Sequence, residues 1–388
     1  MLRSVRRAGA VAGLLALAAV TAFGGAATAA PAKLKSPSQA MAAVAKGGSG
    51  GPGELKVVAE GLNNPRGIGI GPDGALYVAE SGKGGAGPCI AGPEGDQACF
   101  GRSGSVTRIT RHSQQRVLTG LPSTAAPDGT AAAGPVDLGF SGWTGYLLIG
   151  NPGGGAATRK ALGPGAGRFG KLLKVDLHGI RSVADFPRFE DANNPDGGDP
   201  AEGGVDSNPN GLLVRHGARY VTDAGGNDLL KVDHKGRISV VAVFPPRPVG
   251  DIPMQAVPTS VVKGPDGAFY VGQLTGFPFP VGGANVWRVV PGHDPEVFKG
   301  GFTNIIDIAF DRRGRLYVLE IATGGLLNAP ADELPVGRLV RVNRDGSTTT
   351  LAREGLNAPG GFVLGHHTAY ITNNSILPGA GQVVKVAI

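Results

Sequence analysis

Six oxygen-bearing side chains stand at one position of a recurring apolar segment: Glu80, Asn151, Asp223, Gln273, Glu320 and Asn373. Carboxylate and amide oxygens suit a hard cation, Ca2+ before others, and Glu80, Asp223 and Glu320 are the members that would surround one. The same groups also satisfy unpaired main chain where strands and loops begin, so the ring reads either as a ligand site or as an anchor for its own backbone. Asp137 and Asp307 recur at matching positions of a second segment, three copies apart. They are placed either to hold a cation or polar ligand between them or to cap neighbouring backbone. A glycine-rich stretch carries Asp196, Asp199, Glu202 and Asp206 without the spacing of an EF-hand, and reads first as a solvated acidic loop. All seven histidines (112, 178, 216, 234, 293, 366 and 367) fall in or beside tight turns. That placement argues against a histidine general base, a Ser-His-Asp arrangement or a histidine-bound transition metal, and leaves any acid–base work to carboxylates or a metal.

The elements that must position these residues follow from internal repetition. A short strand-like segment occurs six times, as Leu76–Glu80, Leu147–Asn151, Arg219–Asp223, Phe269–Gln273, Leu316–Glu320 and Ala369–Asn373, with tyrosine at its second position in five copies. This is strand B. Strand A precedes it, in most copies entered through proline (Pro65, Pro135, Pro209, Pro258, Pro359), and carries Asp137 and Asp307. Strand C follows and ends in a basic and a β-branched residue, as in Leu229-Leu230-Lys231-Val232. A fourth strand, D, follows in five copies. The sixth copy ends at Ile388 without one, and the stretch Lys56–Leu62 is expected to supply it. The fold predicted is all-β: a six-bladed β-propeller of four-stranded antiparallel blades, the last closed by the N-terminal strand.

Alternating strand direction puts the tight A–B and C–D turns on one face and the B–C and D–A connections on the other. The second face receives the long insertions, at 81–103, 152–169, 187–208, 245–257, 274–283 and 321–336. Long loops on one side of a rigid array are where binding function resides. The basic residues of strand C read as solvent-facing. The loop Phe277-Pro278-Phe279-Pro280 either packs over the channel mouth or contacts a ligand.

Arg3, Arg6 and Arg7 precede an apolar run and the small-residue stretch Ala27–Ala30, the pattern of a secretory signal over residues 1–30. Sec and twin-arginine export both remain open. Residues 31–53 read as a flexible leader and 54–388 as the folded unit. Losing three arginines takes the formal charge from +7 to +4, too little to point to nucleic acid. No later segment reaches membrane-spanning length, and a secreted monomer is expected. Cys89 and Cys99 are the only cysteines, and an even count in an exported chain predicts a disulfide, worth about 2.5–3 kcal/mol by loop entropy.

The unit Leu62-Asn63-Asn64-Pro65-Arg66-Gly67-Ile68 with Gly71-Pro72-Asp73-Gly74-Ala75-Leu76-Tyr77-Val78-Ala79-Glu80 resembles the repeat of NHL-type and SMP-30-like six-bladed propellers. Together with Gly87–Gly95, Asn193–Gly198, Thr222–Leu230 and Gly272–Pro280, most of the chain is similar to the exported ScyD/ScyE family. That resemblance implies a fold and an exported location, with no reaction attached. SMP-30-like lactonases use a glutamate at the start of the first inner strand, where this chain has Pro65-Arg66-Gly67. Quinone-dependent sugar dehydrogenases need a pocket histidine, which is also missing here. The first functional expectation is therefore an exported propeller that binds a small molecule, glycan or protein on its loop face, with Ca2+ as the candidate ion. The second is a metal-dependent hydrolase or isomerase using Glu80, Asp223 and Glu320 around one cation.

Overall fold

The computed structural model describes residues 53–91, 97–197, 205–330 and 333–388. The expected signal (1–30), nearly all of the leader (31–53), and Asp199 and Glu202 lie outside the described residues. Six four-stranded antiparallel blades follow one another along the chain. Strands A to D of blade 1 are Pro65–Ile70, Leu76–Glu80, Gln97–Ile109 and Gln114–Ala125; those of blade 2 are Pro135–Ser141, Thr144–Ile149, Lys171–Asp176 and Gly179–Asp185. Blade 3 comprises Pro209–Arg215, Ala218–Asp223, Asp228–Asp233 and Ile238–Val243, and blade 4 Pro258–Lys263, Phe269–Gln273, Ala284–Val289 and Glu296–Phe302. Blade 5 comprises Ile305–Phe310, Leu316–Glu320, Arg338–Val342 and Thr348–Ala352. Blade 6 is built from Gly361–Leu364, Thr368–Asn373 and Gly381–Ala387, and Lys56–Leu62 pairs antiparallel with the last of these to complete it.

The core lies between blades. One buried cluster joins Tyr146, Leu148 and Leu172 of blade 2 to Leu212, Val221 and Leu230 of blade 3, and another joins Tyr270 and Val286 of blade 4 to Leu316, Val318 and Val340 of blade 5. At the tight-turn face, the Tyr77 hydroxyl donates to Asp73 Oδ2 (3.2 Å) and so does Arg108 Nε (2.7 Å). Tyr270 and Arg288 repeat the arrangement on Asp266. Some of the basic residues of strand C are thus half-exposed partners of a turn aspartate, rather than simply solvated.

The register corrects one alignment. Tyr146 faces Lys174, just as Tyr77 faces Arg108 and Tyr220 faces Lys231, so all six tyrosines occupy a single position of strand B. In blade 2 it is Ile149, not Asn151, that lies opposite the proline of strand A, where the other blades have Glu80, Asp223 and Gln273. The run Leu147-Leu148-Ile149 is apolar at every position and so gives no phase by which to choose between the two alignments.

The long loops carry extra structure: a hairpin of Arg247–Val249 with Ile252–Met254, and helices Ala156–Ala161 and Phe186–Asn193. Cys89–Ala91 pairs with the start of Gln97–Ile109, and the Cys89–Cys99 disulfide is formed across that pair. No helix among the described residues is long and apolar enough to cross a membrane.

Leu62, fully buried, packs with Ile68, Val78 and Val383 and so joins the closing strand to blade 1 as well as to blade 6. Leu62→Ala is expected to destabilise the protein by about 2–5 kcal/mol in a urea titration. A change under about 1 kcal/mol would show that the closing strand contributes little.

Candidate functional site

Strand A of five blades contains a register shift just after its first residue, between Pro65 and Ile68, Pro135 and Asp137, Pro209 and Gly211, Pro258 and Ser260, and Ile305 and Asp307. A bulge re-aims the side chain it carries. Here the re-aimed residues are Arg66, Val136, Asn210, Thr259 and Ile306, and all line one central cavity of ≈ 50 Å³. Asp137 and Asp307 line it too, as do Ser81, Asn151 and Asn208 from the long-loop side. The cavity holds a few water-sized groups at about 10–15 Å³ each.

Asp137 and Asp307 act alike on opposite sides of the ring. Each carboxylate accepts from the next residue's N–H (Leu138, 2.7 Å; Ile308, 2.8 Å) and from strand A of the following blade (Leu212 N, 2.7 Å; Phe362 N, 2.9 Å). The capping role is therefore present, and each aspartate also lines the channel. Gly67 in the same layer leaves room for Asp137, since a Cβ there would overlap Oδ1. Burial, and secondarily the facing Asp307, push Asp137 up to about 8; burial pushes Asp307 up to about 7. Burial also brings Arg66 down to about 10, and its guanidinium donates to Ala132 O (3.0 Å).

The ring residues are buried, and all but Asn151 are engaged within their own blades. Glu80 accepts from Asn63 N (2.7 Å), Ser105, Thr107 and Arg116 Nη2 (2.9 Å). Glu320 accepts from Thr303 N (2.7 Å) and Arg338 Nε (2.5 Å). Asn373 Oδ1 takes Asn357 N (2.7 Å), and Gln273 Oε1 takes Asn285 N and the Trp287 indole N–H. Asp223 takes Ser207 Oγ and the N–H groups of Asn208, Gly225 and Gly226. In blades 1, 3, 5 and 6 the ring residue thus holds the main chain as it enters strand A. Asn151 donates to Gly153, Gly154 and Ser207 carbonyls at the channel mouth. Glu80, Asp223 and Glu320 are not brought together, and among the described residues no three His, Cys, Asp or Glu side chains group around one point.

Two acids escaped the sequence reading. Glu190, on the helix Phe186–Asn193, lies over the B–C turn of blade 3, where a Cβ at Gly226 would sit 3.0 Å from Oε2. Asp228 faces Asp223 directly across the ladder. Burial first, then Asp223, Asp196, Asp206 and Asp191, push Glu190 up to about 8; burial first, then Asp223, Glu190 and Asp196, hold Asp228 well above the usual carboxylate range. Two acids opposite each other are visible in Asp223-Ala-Gly-Gly-Asn-Asp228, whereas the helix that brings Glu190 to them has no repeat to announce it.

Solved structures of low sequence identity share the architecture. A protein of unknown function from Bacteroides thetaiotaomicron VPI-5482 aligns over 86% of this chain and 76% of its own, with TM-score 0.51 and 9% identity. Virginiamycin B lyase from Staphylococcus aureus aligns over 86% and 100% (TM-score 0.45, 13% identity), and a calcium-binding protein, regucalcin, from Agrobacterium tumefaciens str. C58 over 87% and 94% (0.47, 14%). These are likenesses of fold. No protein-family model and no curated protein sequence matches the chain.

Because the folded-state carboxyls of Asp137 and Asp307 bind protons more tightly than the unfolded chain does, they stabilise the fold below about pH 4, and this is lost as pH rises towards about 8. In EDTA the melting temperature should fall between pH 5 and pH 8, less steeply in an Asp137→Asn/Asp307→Asn protein; equal slopes would contradict the assignment. Glu320→Gln should cost about 1–3 kcal/mol in urea through loss of the charged partner of Arg338, and an unchanged midpoint would deny the ring its anchoring role.

Proposed function

We propose that the protein is a secreted, monomeric binding propeller that takes a polar group of a small molecule or glycan, or of a protein partner, into the channel mouth on its long-loop face. The observation that carries this reading is the convergence of five bulged inner-strand residues, among them Arg66, Asn210 and Thr259, and two carboxyls on one small cavity. At ≈ 50 Å³ it accommodates a functional group rather than a whole ligand, so the surrounding loops would hold the remainder. Thr259, Asn210 and the paired aspartates offer both donors and acceptors, a set matched to hydroxyl-rich compounds. Ca2+ is the accompanying ion in this reading, since the acidic groups of the loop face offer only oxygen ligands. Export rests on the arginine, apolar and small-residue pattern of residues 1–30, and membership of the ScyD/ScyE proteins on the loop segments quoted above.

The alternative is a metal-dependent hydrolase or isomerase of the lactonase type, using Glu80, Asp223 and Glu320. It would require those carboxylates to exchange their present backbone and arginine partners for an ion.

A thermal-shift screen across sugars, sugar acids and sugar lactones tests the first reading. A ligand at a hundred times its Kd should stabilise the protein by about 2.7 kcal/mol, and Thr259→Val should remove the shift. Consumption of a lactone that depends on added metal would favour the alternative. A ligand whose binding is untouched by Thr259→Val and Asp307→Asn would overturn the channel assignment.

A further inference from the structure

Glu190 and Asp228 are buried acids that neither line the channel nor hold the main chain entering strand A. Blade 3 differs from the other two blades with a carboxylate in the ring. In blade 5 the residue facing Glu320 across the ladder is Arg338, ion-paired to it, and in blade 1 Glu80 faces Ser105 and receives Arg116. In blade 3 Asp223 faces another acid, Asp228. Among the described residues no lysine or arginine is paired with Asp223, Asp228 or Glu190. Asp223 is filled by its four donors, but among the described residues both oxygens of Asp228 and both of Glu190 have no hydrogen-bond partner, although the two residues are 0% and 1% exposed. A buried carboxylate without a donor or counter-charge is among the costliest groups a fold can contain.

We propose that the junction between the helix Phe186–Asn193 and blade 3 binds a divalent cation, Ca2+ by its all-oxygen donors, with Glu190 and Asp228 as protein ligands and Asp223 as the neighbouring fixed charge. The ion takes the place of the arginine that blades 1 and 5 supply. It is a site of two carboxylates rather than three, with water completing the six to eight oxygens that Ca2+ takes. Asp196, anchored to Asn227 Nδ2 (2.9 Å), and Asp206, bonded to Gly154 N (2.6 Å), add negative potential from two further segments. The cation would bind two elements together, the inter-blade helix and the start of strand C of blade 3. The inference rests on the preceding reading only for the identity of the ion, because neither Glu190 nor Asp228 lines the channel.

Protein stripped with EDTA is titrated with CaCl2 by calorimetry, with MgCl2 in comparison, and melting temperatures are recorded alongside. Saturable binding of one Ca2+ with a raised melting temperature is expected. Glu190→Gln and Asp228→Asn should each weaken that binding about ten-fold or more. The stripped variants should melt above stripped wild type, since an amide relieves the repulsion. Absence of saturable binding of either cation to wild type overturns the proposal, as does equal affinity in both variants. A melting temperature of the stripped protein that matches the Ca2+-loaded one also overturns it, by showing that a bound proton already neutralises the junction. A channel ligand that stabilises the cation-free protein while no cation binds leaves the channel reading intact and removes this one. Cation binding without any channel ligand does the reverse.

Discussion

The architecture depends on one pairing between the far ends of the chain. Lys56–Leu62 hydrogen-bonds to Gly381–Ala387, and without it blade 6 would end in an open edge and its neighbour would lose the wall against which Leu62, Ile68 and Val383 pack. Around the channel the closure is reinforced by polar contacts from blade to blade. Thr372 Oγ1 donates to Arg66 O, Ser81 Oγ to Pro135 O and Thr259 Oγ1 to Ile305 O, while Asp137 and Asp307 accept from the next inner strand. Packing between blades supplies the apolar stabilisation, and this inner belt fixes how the blades are oriented. The channel is therefore narrow, and its lining is set by the strand A bulges together with connection residues such as Ser81, Asn151 and Asn208.

The two carboxylate systems illustrate how one repeat position acquires different uses. Glu80 and Glu320 have arginine partners and hold the incoming main chain, so their charge is settled within the protein. Asp223 holds the incoming chain too, yet its cross-strand neighbour is Asp228 and its overlying helix brings Glu190. The excess negative charge is thus confined to one inter-blade junction, away from the symmetry axis. Asp137 and Asp307 face a gentler version of the same problem, because four backbone N–H groups share the load.

Much of this was legible in the residues. The recurring tyrosine of strand B, the basic and β-branched ending of strand C, the proline starts of strand A and the similarity of Glu60–Pro65 to Glu354–Pro359 define the blades and their closure, because a repeat multiplies a weak strand signal six times. Blade 2 was misphased by two residues, since Leu147, Leu148 and Ile149 satisfy either phase. The disulfide followed from the cysteine count. The bulges that aim Arg66, Asn210 and Thr259 into the channel depend on crowding at the axis, which no single strand encodes. Glu190 was invisible as a site residue for a related reason: its position depends on a short helix folding back over a turn some thirty residues further along.

The closing strand also dictates a timetable. Residue 62 leaves the ribosome long before residue 381 exists, and at roughly 5–20 residues per second the interval is on the order of half a minute. For that time Val57 and its neighbours have no partner strand, and the ring can become whole only after synthesis of the last blade. A chain built in this way stays an unfinished ring until its tail is made.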